Sequence, residues 1–202
     1  MAYRAYSHFD LGKVQADFDL ILQEDQNLFP DLIPRQPSTL LQQILQEYQS
    51  LALAINSEKA RSEFIIAPIL GDIRHQVSQP ISLFSGKEFN VDAELGLTGY
   101  CDFLLSKSKE QFFIKAPVLT IAEAKNENII GGLGQCAAAM VAAQIFNQRK
   151  QVEIPEIYGC VTTGSTWRFL RLQDRNLMID KIEYYLTELP SILGILSLPF
   201  QD

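Results

Sequence analysis

An α/β fold, a mixed β-sheet covered by helices, is what the sequence predicts, and three observations carry it. Apolar residues recur at helical spacing through most of the first 76 positions. From Ile81 onward the texture changes to short β-type runs. An alanine-rich helical stretch then separates two groups of strands, as a crossover between parallel strands requires.

Taken in order, Asp10 to Asp25 has helical spacing at Val14, Phe18, Ile21 and Leu22, and the proline-rich segment from Phe29 to Pro37 breaks it. Ser38 is a natural N-cap for a helix running to about Leu53. A third helix begins near Ser57 and continues towards Gln76, with Pro68 expected to kink it. Ile81 to Phe84 and Phe89 to Asp92 flank a Ser-Gly-Lys turn and read as a hairpin. Glu94 to Ser106 alternates, placing Leu95, Leu97, Gly99, Cys101, Phe103 and Leu105 on one face. Val118 to Lys125 reads as a buried strand, and Gly131-Gly-Leu-Gly leads into a helix from Gln135 to about Gln148. Strands follow at Ile157 to Thr162, Thr166 to Leu172 and Leu177 to Ile179. A final helix from Lys181 to about Leu196 is interrupted by Pro190.

With 202 residues, 47% hydrophobic and 20% charged, the chain can bury one substantial core. The expected organisation is one compact domain: a helical extension over residues 1–56 packed on a core over 57–202. No apolar run approaches the roughly 18 to 20 residues of a membrane span, and Met1 to Lys13 lacks the apolar stretch of a secretory leader. Cys101, Cys136 and Cys160 show no CxxC spacing, so they read as small buried residues in a reducing cytoplasm, with no membrane partner. The net charge of -7 argues against tight binding of nucleic acid through phosphate contacts alone. It still permits an enzyme on nucleic acid, because divalent cations offset clustered carboxylates.

Chemistry concentrates in Leu119-Thr-Ile-Ala-Glu-Ala-Lys125. Glu123 and Lys125 project to the same strand face, two opposite charges ending an otherwise apolar run. Asp102 is a lone carboxylate in the middle of the preceding hydrophobic strand, which is costly without a partner. If the two strands are neighbours, Asp102 and Glu123 can converge on one Mg²⁺, a hard ion that takes oxygen ligands. Glu63 extends the helical stripe of Ile66, Ile69, Leu70, Ile73 and Val77, an uncommon place for a carboxylate.

In this order and spacing the residues resemble the PD-(D/E)XK nuclease superfamily, which has the restriction-endonuclease-like fold. The resemblance rests on Glu63 in Ala60-Arg-Ser-Glu-Phe-Ile-Ile-Ala-Pro-Ile-Leu70, Asp102 in Leu97 to Leu105, and Glu123-Ala-Lys125. The Ala-rich helix after Gly134-Gln135 and the strand pair around Val161 to Phe169 complete it. It spans roughly Ser57 to Ile179. Cys101 stands where a proline often precedes the aspartate, and Ala139 stands where RecB-like members carry tyrosine. The resemblance implies a Mg²⁺-dependent nuclease, with Mn²⁺ as substitute, acting on DNA more than RNA. Asp102 and Glu123 would hold the metal. Glu63 would bind a second metal or orient its water, and Lys125 would position or deprotonate the attacking water. Gln135 is a further candidate site residue. So acidic a chain would hold duplex DNA as a homodimer or with a partner supplying basic surface.

Two other readings compete. The same fold without catalysis would be an interaction module. Gly132-Leu-Gly134-Gln-Cys-Ala137 also fits a dinucleotide fingerprint, with Glu153 about 20 residues on, but Lys125 to Ile130 separates strand from glycines where a tight turn is needed. His8 and His75 have no triad around them, and Trp167, Arg168, Arg171 and Arg175 read as a hairpin face.

Overall fold

A computed structural model describes residues 5–201; the first four residues of the Met1–Lys13 segment and the last residue of the chain lie outside that range. Helix α1 (Leu11–Asp17) starts on Asp10, whose side chain accepts from the Lys13 N–H. It ends sooner than the apolar spacing predicted, because Asp19 turns the backbone left-handed at φ 51°. Ile21 and Leu22 therefore lie not on a helix but in strand β1 (Ile21–Gln23), so the first 56 residues are not purely helical. Helix α2 (Thr39–Ile55) begins as expected, with the Ser38 hydroxyl accepting from the Leu41 N–H at 3.1 Å.

The third predicted helix is broken into pieces. Helix α3 (Glu58–Arg61) is capped by Ser57, a π-helical turn covers Ser62–Ile66, and α4 (Ala67–Gln76) follows. Pro68 has no N–H to give the Phe64 carbonyl. The backbone widens just before it, and the Ala67 N–H reaches back to the Ser62 carbonyl. The expected kink is therefore a π-bulge.

The sheet has seven strands in the order β1-β7-β6-β5-β4-β3-β2. Strand β2 (Ser82–Glu88) runs straight through Ser85-Gly86-Lys87, so the predicted hairpin there does not exist. Gly86 takes a φ of 57° within the strand, and the true reversal is the Asp92–Leu97 turn. Strand β3 (Tyr100–Ser106) consequently starts six residues later than its alternation suggested. Strands β4 (Val118–Ala124) and β5 (Ile157–Thr162) are parallel, joined by α5 (Ile129–Arg149), as the crossover pattern predicted. Helix α5 starts six residues earlier than expected because Asn128 caps it, accepting from the Gly131 N–H at 2.9 Å. Strand β6 (Thr166–Gln173) pairs with a ten-residue β7 (Asn176–Tyr185), which absorbs the start of the predicted last helix. Helix α6 (Leu189–Ser197) takes Pro190 in its first turn, where a missing N–H costs nothing, rather than being interrupted by it. Strand β1 closes the far edge, parallel to β7.

Helices cover both faces. Helix α5 packs Cys136, Met140 and Val141 with Leu104, Ile121 and Val161 on one face. The other buries Ile66, Ile69, Leu70 and Ile73 beside Ile192 and Leu193 of α6, with Phe103 and Trp167. The buried Asn147 ties the end of α5 to the start of β4, with both amide groups bonded to the Val118 backbone at 2.8 Å. All three cysteines are free and buried, as expected. Helix α5 is long and apolar enough to pass for a membrane span, contrary to the sequence reading, but most of it is buried within this fold.

Gly134 shows how closely α5 is seated. A Cβ there would lie 2.2 Å from the Asp10 carbonyl carbon, a backbone atom that cannot move alone. Gly134→Ala gains about 1 kcal/mol of helix propensity. Overpacking of this kind typically costs about 1–3 kcal/mol or more. The expected net result is a lower midpoint in chemical denaturation, and an unchanged or raised midpoint would show that α1 is not tightly docked.

Candidate metal and phosphate site at the end of β4

The register between β3 and β4 places Leu104 opposite Ile121 and Phe103 opposite Ala122. One step further brings Asp102 across from Glu123 on the α5 face of the sheet. The negative charge of Asp102 acts directly on the Glu123 carboxyl. Asp102 is half-buried, and its Oδ2 accepts from the Ala124 N–H at 2.8 Å, replacing a ladder bond where the two strands part. Lys125 follows the last residue of β4, and its N–H continues the pairing to the Thr162 carbonyl at 2.8 Å. Its Nζ meets Glu123 Oε1 at 2.5 Å and Gln135 Oε1, from the second turn of α5, at 3.3 Å. Four residues singled out from the sequence therefore come together: Asp102, Glu123, Lys125 and Gln135.

Glu63 does not join them. The stripe of Ile66, Ile69, Leu70 and Ile73 is buried as predicted. The π-helical turn inserts a residue ahead of it, which rotates everything upstream by about 100°. Glu63 is consequently a half-exposed residue whose Oε1 faces Lys59 Nζ at 3.6 Å. Among the described residues no three His, Cys, Asp or Glu side chains gather as a metal-binding group, so the predicted third ligand is absent from the carboxylate pair. The helical acid whose charge reaches Lys125 is Glu58. It was missed because the stripe was phased as one unbroken helix. The clue was local: Ser57-Glu58 is an N-cap followed by an acid, which marks a helix start. Arg61 holds that start at the site's edge, donating to the Thr163 carbonyl at 2.8 Å.

Electrostatics set the protonation states. Glu123 is only 2% exposed. Burial first, and then the negative charge of Asp102, push its carboxyl up to about 8, with Lys125 opposing but not prevailing. Burial pulls the Lys125 ammonium down, yet Glu123, Asp102 and Glu58 outweigh it and the net shift is upward. Burial likewise raises the thiols of Cys101, Cys136 and Cys160, which makes them poor nucleophiles.

The glycines of the dinucleotide fingerprint lie inside α5, not in a turn before it. A Cβ on Gly132 would strike Val161 at 2.7 Å and the Lys125 stem at about 3.0 Å. The residue is glycine so that the helix can lie against the strand carrying Lys125, and no open loop remains for a pyrophosphate. The hairpin arginines are engaged with carboxylates: Arg168 with Glu183 and Arg171 with Glu156, both at 2.5 Å, and Arg175 with Asp19 at 3.3 Å. Trp167 is wholly buried.

No model of a known protein family matches the chain, and no curated protein matches it either.

Proposed function

We propose that the chain is a Mg²⁺-dependent nuclease, with Mn²⁺ able to substitute, built on a restriction-endonuclease-like version of its α/β fold. It hydrolyses phosphodiester bonds, in DNA rather than RNA. The observation that carries this reading is the Asp102–Glu123 carboxyl pair with the Lys125 ammonium 2.5 Å from Glu123, at the end of a buried strand.

Two carboxylates in so buried a place repel each other, and one ammonium answers only one of them. A divalent cation fits that charge. Mg²⁺ is commonly held by one or two carboxylates, completing its shell with water and substrate phosphate, so the absence of Glu63 from the pair does not disqualify it. When bound, such an ion polarises a phosphate oxygen and acidifies water. Asp102 and Glu123 would hold it, Asp102 being already fixed by the Ala124 N–H. The raised affinity of Lys125 for its proton, supported by Glu58, favours stabilising charge on the phosphate over abstracting a proton. Gln135 holds the ammonium from the α5 side and limits its wandering. The antiparallel β3–β4 pair, the α5 crossover and the parallel β5 support that version of the fold.

The test is incubation of the purified chain with plasmid DNA, labelled oligodeoxynucleotides and RNA, in millimolar Mg²⁺ or Mn²⁺ and in EDTA. Cleavage only with metal, and stronger on DNA, is the expected outcome. Metal binding with no cleavage of any nucleic acid would instead make the chain a catalytically silent interaction module.

A further inference from the structure

The connection between β3 and β4 reads Lys107-Ser-Lys-Glu-Gln-Phe-Phe-Ile-Lys-Ala-Pro117, three lysines against one glutamate in a chain of net charge -7. At its tip two adjacent aromatic rings stand in water, Phe112 at 89% and Phe113 at 56% exposure. The segment is pinned rather than loose. Gln111 donates to the Leu83 carbonyl at 2.7 Å, the Lys107 N–H to the Pro117 carbonyl at 3.0 Å, and Glu110 accepts from the Phe112 N–H at 2.9 Å. Ser106 Oγ also donates to the Lys115 carbonyl. A folded chain gains nothing by fixing two phenylalanines in solvent, so the pair calls for a partner.

Charge indicates which kind. Beside the loop, between it and the end of α4, lies an open cavity of about 490 Å³. Arg74, His75, Gln79, Ser108 and Lys109 line it, with no acidic residue. Arg74 is steadied by donating Nε to the Ile81 carbonyl at 3.0 Å. Lys115, two residues past Phe113, is also exposed.

We infer that this loop and cavity form a docking surface for single-stranded nucleic acid, bases stacking on Phe112 and Phe113 and a phosphate entering the Arg74–Lys109 cavity. Exposed aromatic faces beside cationic side chains bind single strands in this manner, with little sequence preference. A cavity in which Ser108 stands beside cations suits a discrete phosphate group better than a flat lipid surface does. The inference rests on the nuclease reading for its purpose. The loop lies at the opposite end of the β3–β4 pair from Asp102 and Glu123, roughly 17 Å from Asp102 along β3 at about 3.3 Å per residue. The basic surface that so acidic a chain was expected to borrow from a partner is thus supplied, for a single strand, by the chain itself.

The experiment is fluorescence anisotropy with labelled (dT)20 and (rU)20 in EDTA at low salt, using the full chain. Binding is read without metal or cleavage, so its failure is separate from failure of the nuclease reading. The double variant Phe112→Ala/Phe113→Ala, both positions exposed, is expected to weaken binding at least tenfold. Arg74→Gln/Lys109→Gln should weaken it and flatten the dependence of log affinity on log salt by about 0.7 for each phosphate no longer neutralised. Binding of (dT)20 but not (rU)20, or of both, tells which nucleic acid is held, and either supports the surface. Absence of binding to both oligonucleotides would overturn it. So would binding that the Phe112→Ala/Phe113→Ala variant leaves unchanged, or capture of phosphatidylserine vesicles in place of the oligonucleotides.

Discussion

Asp102→Asn is expected to abolish Mg²⁺ and Mn²⁺ binding, while Lys125→Ala keeps the metal and loses the reaction. The first change leaves a neutral amide of nearly the same shape where a hard cation needs charge. It also leaves Glu123 buried with no second carboxylate to share an ion. The second change removes a positive charge 2.5 Å from Glu123 Oε1, which should leave metal affinity intact or slightly stronger. Cleavage should nevertheless fall by about two orders of magnitude or more, the usual size for one preorganised electrostatic group. Titration calorimetry with each metal, run beside the cleavage assay, separates the two effects. Asp102→Asn protein that still binds Mg²⁺ like the wild type would remove Asp102 from the site. Lys125→Ala protein that cleaves normally would reduce Lys125 to a structural counter-charge.

Glu123→Gln should stabilise the metal-free protein at alkaline pH. Unfolded, the Glu123 carboxyl releases its proton near the ordinary value of 4.5; folded, it holds it up to about 8. Between those values the native state binds more protons than the unfolded one, so this group makes stability fall as pH rises and level off above about 8. A glutamine avoids the buried charge but takes one partner from Lys125, which leaves a net gain on the order of a few kcal/mol. For a protein of this size each kcal/mol moves the melting point by about 2–4 °C. Thermal melts from pH 5 to 9 should therefore show Glu123→Gln with a flatter pH profile and a melting point several degrees higher at the top of the range. Added Mg²⁺ should raise the wild-type melting point and leave that of the variant unmoved. Parallel pH profiles for the two proteins would show that Glu123 is not the group that titrates.

The candidate site was readable where strand periodicity governs it. Glu123 and Lys125 share a face because residues two apart in a strand must, and a mid-strand Asp102 in an apolar run demanded a neighbour. Gln135 came within reach because Gly132 lets α5 settle against Val161 of β5 and the Lys125 stem. Glu63 and Glu58 changed places for a reason that helical periodicity cannot carry. One residue inserted by a π-bulge turns the upstream face away, and Pro68 marked the disturbance without giving its size. The hairpin expected at Ser85-Gly-Lys87 failed similarly, since a lone glycine serves either a turn or a positive φ inside a strand.

By itself the sequence determined the class of fold, the α5 crossover, the cap at Ser38, the helix start near Ser57, and the pairing of carboxylates with a lysine at one strand end. These follow from local rules: period, capping chemistry and the cost of burying charge. Only the tertiary structure decided that residues 21–23 join the sheet beside β7, that Lys181 to Tyr185 is strand, and that Phe112 and Phe113 stand beside a basic cavity contributed partly by α4. Each of those depends on what lies across from a segment and not on the segment itself. Edge pairing, strand extension and the meeting of distant side chains are settled by long-range contacts, which leave no period in the sequence to read.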